Sequence, residues 1–184
     1  MAAEMFDKNF ETFYISKEES NSPLISEVIR VGKRFKELDL SDTIVSLRYG
    51  KRVLINTDYV NFGELKQKDF LEIVDYDPLK KLLLTIGVKE PRVETPVHWL
   101  IHHARDEVNA VIQINDLKLA GQLEKKLPIT EKEFPVESLE MAKEILRNLR
   151  NSKRVVIKNQ GVLFVAGSIK EAEDLILKTL EELK

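Results

Sequence analysis

With no cysteine anywhere in 184 residues, thiolate nucleophiles, disulfides and cysteine metal sites are excluded, and histidine and carboxylate chemistry remains. The three histidines are His98, His102 and His103. Glu94, His98 and His102 follow one another at intervals of four, so on a helix they share a face and could in principle chelate a cation. The order in which a helical zinc site pairs two histidines with a glutamate, HExxH, is absent. That weighs against a chelate, and His102 and His103 read as residues that cap or pack at a core or subunit boundary. No serine or threonine stands beside a histidine at a nucleophile spacing. No glycine-rich phosphate loop follows a strand either, and Gly161 and Gly167 read as turn positions.

The elements that must position these groups come from one domain, since 43% hydrophobic residues in a chain of this length supply one substantial core. Lys and Arg number 29 against 31 Asp and Glu, interspersed along the chain for a formal charge of -2. The basic stripe that neutralises phosphates is missing, so nucleic acid is not an expected partner. No apolar run approaches the roughly eighteen residues that cross a bilayer, and no signal pattern opens the chain, so no membrane association and a cytoplasmic location are expected. A charged fraction of 33%, rich in Lys and Glu, has a thermophile-like composition.

Residues 1–21 mix aromatics with charges at no clear period and read as an N-terminal arm, with the domain spanning 22–184. Ser22 and Pro23 open a helix whose apolar positions, Ile25, Val28, Ile29 and Phe35, carry it to about Glu37. Thr43–Tyr49 and Lys51–Asn56 form a hairpin about Gly50, and Phe70–Val74 and Leu82–Val88 are two further strands. A helix over Glu94–Arg105, a strand over Val108–Asn115 and a helix over Asp116–Lys125 follow. After a linker with Pro128 and Pro135 come a helix over Glu137–Arg150, strands at Arg154–Lys158 and Val162–Ala166, and a last helix. Ser168 and Glu171 provide that helix with a capping box. Hairpins alternating with helices imply a mixed sheet covered on both faces.

Three stretches carry a family resemblance. The first is "VGKRFKELDL" with "VSLRYG", "VLIN" and "FGELKQKDFLEIVD", between Val31 and Asp75. The second, "KEPRVETPVHWLIHHARDEVNAVIQIND", runs from Lys89 to Asp116, and the third, "VVIKNQGVLFVAGSIKEAED", from Val155 to Asp174. In order and spacing the chain resembles the class II aldolase/adducin family, which includes fuculose and ribulose phosphate aldolases and epimerases and the non-enzymatic adducin head. The resemblance implies a three-layer α/β/α domain with a mixed, largely antiparallel central sheet. It also implies a homo-oligomer, commonly a cyclic tetramer with active sites at subunit interfaces.

The family's chemistry rests on a divalent metal, usually zinc, held by two histidines two apart on one strand and a third in an "NHG" turn. The metal polarises the substrate carbonyl and stabilises the enediolate as a carbon–carbon bond breaks. The positions here that match are Gln113, Asn115 and Gln160, whose carboxamides are weak neutral ligands unsuited to zinc. Glu94 matches the family's glutamate and is the one catalytic-type residue retained; its alternative role is a charge at a helix N-terminus. At the family's phosphate contacts stand Thr43, Ile44, Asp58, Tyr59, Arg92 and Val93. Ile44 offers no side-chain hydrogen bond, Asp58 repels a phosphate, and Arg92 reads as a solvated charge.

The expectation is thus a degenerate aldolase-like domain with no metal cofactor, a pseudo-aldolase acting by assembly or by binding a small uncharged ligand. The alternative is a sugar-phosphate aldolase or epimerase, an aldehyde-lyase with an atypical site using Glu94 and His98 or His102. A third reading is a regulatory partner joining a true aldolase through the N-terminal arm.

Overall fold

The computed structural model describes residues 8–57 and 60–184. In chain order the elements are β1 (Glu11–Ser16), α1 (Ile25–Glu37), β2 (Thr43–Tyr49), β3 (Arg52–Asn56), β4 (Phe70–Asp77) and β5 (Leu82–Ile86). Then come α2 (Thr95–Ala104), β6 (Ala110–Ile114), α3 (Leu117–Leu123), α4 (Leu139–Asn148), β7 (Arg154–Ile157), β8 (Gly161–Ala166) and α5 (Ile169–Glu181). The eight strands form one sheet in the order β1-β5-β4-β3-β2-β6-β8-β7. Every pairing is antiparallel except β1 with β5. The mixed, largely antiparallel three-layer α/β/α fold is present as expected.

The segment read as an aperiodic arm contributes β1, whose residues alternate between exposed and half-buried. Its period is hidden in the sequence because the exposed positions include Phe13 and Ile15 while half-buried ones include Thr12 and Ser16, so burial does not track polarity. At the other edge, β7 is bonded along its outer side by the linker: Val156 N–H donates to Pro128 O at 2.8 Å, and Thr130 N–H to Val156 O at 3.0 Å.

Helix α1 buries Ile25, Val28, Val31, Gly32 and Phe35, the helical stripe that its sequence shows. Gly32 is required by packing: a Cβ there would lie 2.3 Å from Phe62 O. With α3 and α5, α1 covers one face of the sheet, where Val45, Leu47, Leu54, Ile112, Ile114, Val162 and Phe164 form a continuous apolar layer. Helices α2 and α4 cover the other face through Val97, Ile101, Met141 and Ile145. At the start of α5, Ser168 Oγ accepts from Glu171 N–H as expected for a cap, but the Glu171 carboxylate accepts from Gly167 N–H, one residue outside the predicted box. Among the described residues no helix is long and apolar enough to cross a membrane.

Candidate functional site

The candidate residues meet where α2 crosses β2 and β6. Strand alternation decides which side chains face the helix. β2 and β6 pair with Ser46 opposite Val111 and Ile44 opposite Gln113, so these four point to the α2 side, while Val45 and Ile112 point to the apolar layer. Pro96 near the start of α2 lacks an N–H where the helix has no acceptor for one. At the other end, Arg48 Nη2 donates to His102 O at 2.7 Å, Val108 O at 2.9 Å and Arg105 O at 3.1 Å. A guanidinium on the carbonyls at a helix C-terminus satisfies free acceptors and opposes the negative end of the dipole.

Between these ends runs a connected series of polar side chains. Arg92 Nη2 donates to Asp42 Oδ1 at 2.8 Å, and Arg92 Nε to Glu94 Oε1 at 3.2 Å. Asn115 Nδ2 donates to Glu94 Oε2 at 2.8 Å, and Gln113 Nε2 to Asn115 Oδ1 at 3.1 Å. Gln113 Oε1 lies 3.0 Å from His98 Nε2. Ser46 Oγ sits between the histidines, 2.7 Å from His98 Nδ1 and 2.9 Å from His102 Nε2. His102 Nδ1 ends the series 3.2 Å from Val108 O. Ser46, Glu94, His98, His102 and Gln113 are all buried, whereas Asn115 is half-buried, so the series opens outward at the Asn115 end.

Burial raises the Glu94 carboxyl, but the Arg92 guanidinium and the Asn115 amide outweigh it and hold the group below the usual carboxylate range. Arg92 is likewise held charged: burial works against it, and Glu94 and Asp42 prevail. Burial pushes His98 down to about 4 despite the Gln113 bond and the Glu94 charge. His102 is pushed down to about 3 by burial, then by His98 and Arg48. At neutral pH both imidazoles are uncharged.

Glu94, Gln113 and Asn115 are therefore brought together, and Glu94 does more than favour a dipole. Arg92, expected to be solvated, has a side chain only 12% exposed and is pinned between two carboxylates. Gln160 lies in the β7–β8 turn, where its N–H donates to Ile157 O at 3.0 Å. That turn is tight against β6: a Cβ on Gly161 would lie 2.0 Å from Ile114 O, and Asn159 has φ 59. Thr43 Oγ1 donates to Leu40 O at 2.9 Å, Ile44 is packed in an apolar cluster with Trp99, and Val93 is half-buried. Asp58 and Tyr59 lie outside the described residues. His103 stacks on Trp99 with ring centroids 6.3 Å apart, in keeping with a packing role. Ser46 and Arg48 carry as much of the site as the predicted residues do. Their sequence signal was the "VSLRYG" strand, in which they were not singled out. Among the described residues, no three His, Cys, Asp or Glu side chains come together to hold a metal. A cavity of about 590 Å³ beside α1 is lined by Lys33, Lys66, Lys68 and Lys89, and none of the described candidate residues lines it.

Residues 26–183 match the family described as Class II Aldolase and Adducin N-terminal domain. No curated protein sequence is significantly similar to the chain. Among solved structures, an L-fuculose 1-phosphate aldolase superposes with a TM-score of 0.73 at 19% identity, covering 90% of this chain and 84% of that one. The L-fuculose-1-phosphate aldolase of Thermus thermophilus gives 0.72 at 18% identity, covering 87% and 90%. The N-terminal class II aldolase domain of a conserved protein from Thermoplasma acidophilum gives 0.62 at 16% identity, covering 92% and 97%.

Proposed function

Since the chain belongs to the Class II Aldolase and Adducin N-terminal domain family, we propose that it is a degenerate member that works without the family's metal-dependent catalysis, through assembly or small-ligand binding. The observation that supports this reading is the donor set. Zinc sites are built from thiolate, imidazole and carboxylate. At the matching positions stand neutral carboxamides, and Gln113 and Asn115 direct their polar atoms at each other, at His98 and at Glu94. A cation would have to displace those bonds and would gain two weak amide oxygens in return. These residues do not fit zinc.

Glu94 is also poorly suited to act alone as a base. Its two oxygens accept from Arg92 and Asn115, and a carboxyl held below the usual range takes up a proton weakly at neutral pH. This weighs against an aldehyde-lyase that dispenses with the metal. Assembly is supported by β1, an edge strand of the sheet, where Phe13 and Ile15 are 59% and 50% exposed among the described residues. A second copy of the chain is the occupant proposed for that edge.

The test is a retro-aldol assay against a panel of phosphorylated ketoses, with zinc or magnesium added and with the Glu94→Gln variant in parallel. No turnover above the variant supports the proposal. Metal-dependent cleavage that Glu94→Gln abolishes refutes it. Light scattering of the purified chain, alone and as Phe13→Ser, tests assembly: an oligomer that the substitution weakens is the expected result.

A further inference from the structure

The polar series from Glu94 to Val108 contains six contacts: Glu94–Asn115, Asn115–Gln113, Gln113–His98, His98–Ser46, Ser46–His102 and His102–Val108 O. Both of its ends are acceptors, a carboxylate and a backbone carbonyl. Each of the five side chains between them, when neutral, brings one donor to the series: an amide N–H for Asn115 and Gln113, one ring N–H for each histidine, and the Ser46 hydroxyl. Five donors meet six contacts, so one contact lacks a hydrogen.

Links on either side of the empty contact point away from it, and an empty contact inside the series would press two acceptors together at 2.7–3.1 Å, which leaves the two ends. If the donors ran toward Val108, Asn115 Oδ1 would face the charged Glu94 Oε2 at 2.8 Å, an oxygen against a buried anion. If they run toward Glu94, the empty contact is His102 Nδ1 against Val108 O, the longest of the six at 3.2 Å. Val108 O does not depend on it, because Arg48 Nη2 already donates there at 2.9 Å. The arrangement toward Glu94 sacrifices the weakest bond and keeps the charge-assisted one.

We propose that the Glu94 charge sets the direction of this hydrogen-bonded chain, holding both His98 and His102 as the Nε2–H tautomer, and that removing the charge reverses every link as far as Val108. The proposal rests on the reading that the amides bond to one another and to Glu94 in preference to a metal. Arg92 reaches both Glu94 oxygens, Nε to Oε1 at 3.2 Å and Nη2 to Oε2 at 3.3 Å. With a neutral amide at position 94, Nε keeps its oxygen and Nη2 gives up the longer contact for Asp42 Oδ1 at 2.8 Å, so the new N–H falls on the side of Asn115. It then donates to Asn115 Oδ1, Gln113 Nε2 donates to His98 Nε2, and both rings carry their proton on Nδ1. Six donors now meet six contacts. The state of the half-buried end near Asn115 is thereby written into His102, at the far end of the chain against Arg48 and the end of α2. A ligand that donates to Glu94 at the outer end acts on the same element.

Long-range proton–nitrogen correlation spectra of histidine-labelled protein at neutral pH report each ring's tautomer, with His103→Gln used for assignment. The native chain is expected to show Nε2–H for both His98 and His102. Glu94→Gln is expected to switch both to Nδ1–H. Asn115→Leu, which cuts the chain from the carboxylate, is expected to switch them as well, since four remaining donors then satisfy the four contacts from Gln113 to Val108; it guards against a Glu94 variant that does not fold. Native rings in the Nδ1–H form, or folded variants with unchanged tautomers, overturn the proposal. One equivalent of zinc added to the native chain separates the two claims. Shifted His98 ring signals refute the metal-free reading, whereas silent zinc with tautomers that do not follow Glu94 refutes this inference alone.

Discussion

The two faces of β2 and β6 are built from alternate residues of the same strands and are held together by different means. On one side Val45, Ala110, Ile112 and Ile114 meet α1, α3 and α5 in an apolar layer whose stability depends on volume. On the other, Ile44 and Val111 pack in apolar clusters with Trp99, Val97 and Ile101, but between them Ser46 and Gln113 meet α2 through polar atoms, so stability there also depends on whether each donor finds an acceptor. Among the described residues the buried side-chain atoms without any partner are Thr85 Oγ1 and Thr95 Oγ1, both outside the Glu94–His102 series. A fold can thus carry an extended buried polar seam when the seam is nearly self-satisfying. Its sensitivities then differ in kind from those of the dry face.

The largest effect is expected on the dry face. Phe164→Ala removes a fully buried ring and should cost about 3–5 kcal/mol in urea unfolding, with little dependence on pH. A loss below about 1 kcal/mol would mean that this layer is not the principal core. The polar face should respond to acid. An unfolded histidine takes up a proton below about 6.5, whereas His98 does so in the fold only below about 4, so the unfolded state gains protons first and stability falls as pH drops through that window. For His98 alone the loss is on the order of 3 kcal/mol, and His102 acts in the same direction. Urea midpoints that stay level from neutral pH down to the acid end of that window would contradict neutral buried imidazoles.

Ser46→Ala leaves His98 Nδ1 and His102 Nε2 facing an empty place and should cost about 1–3 kcal/mol, more than removing a surface hydroxyl. A neutral substitution would show that the rings find water or each other. The smallest effect belongs to Asp42, whose side chain is 53% exposed where it meets Arg92. Asp42→Asn should cost less than about 1 kcal/mol and fade with salt, as measured by a double-mutant cycle with Arg92→Gln.

The dry face was legible in the sequence because its period is simple: the α1 stripe, the hairpin about Gly50 and the β6 run all lie within a few residues of where the pattern puts them. β1 was not, since Phe13 and Ile15 face outward and the strand pairs with β5, far away in the chain. Gln113 and Asn115 stand two apart on one strand and could be picked out in the sequence, and the structure sets them beside Glu94. The series linking Glu94 to His102 could not be picked out, because Ser46 and Arg48 come from a strand about fifty residues earlier and enter only when β2 is laid beside β6. Arg92 shows the same limit: nothing local distinguishes a solvated arginine from one placed between Asp42 and Glu94.

Zinc titration calorimetry of the native chain, beside a variant carrying Gln113→His, Asn115→His and Gln160→His, puts the central claim to its most direct test. The expected result is no stoichiometric heat for the native protein and tight one-to-one binding for the triple variant. Stoichiometric zinc binding by the native chain, lost on Gln113→Leu, would contradict the account.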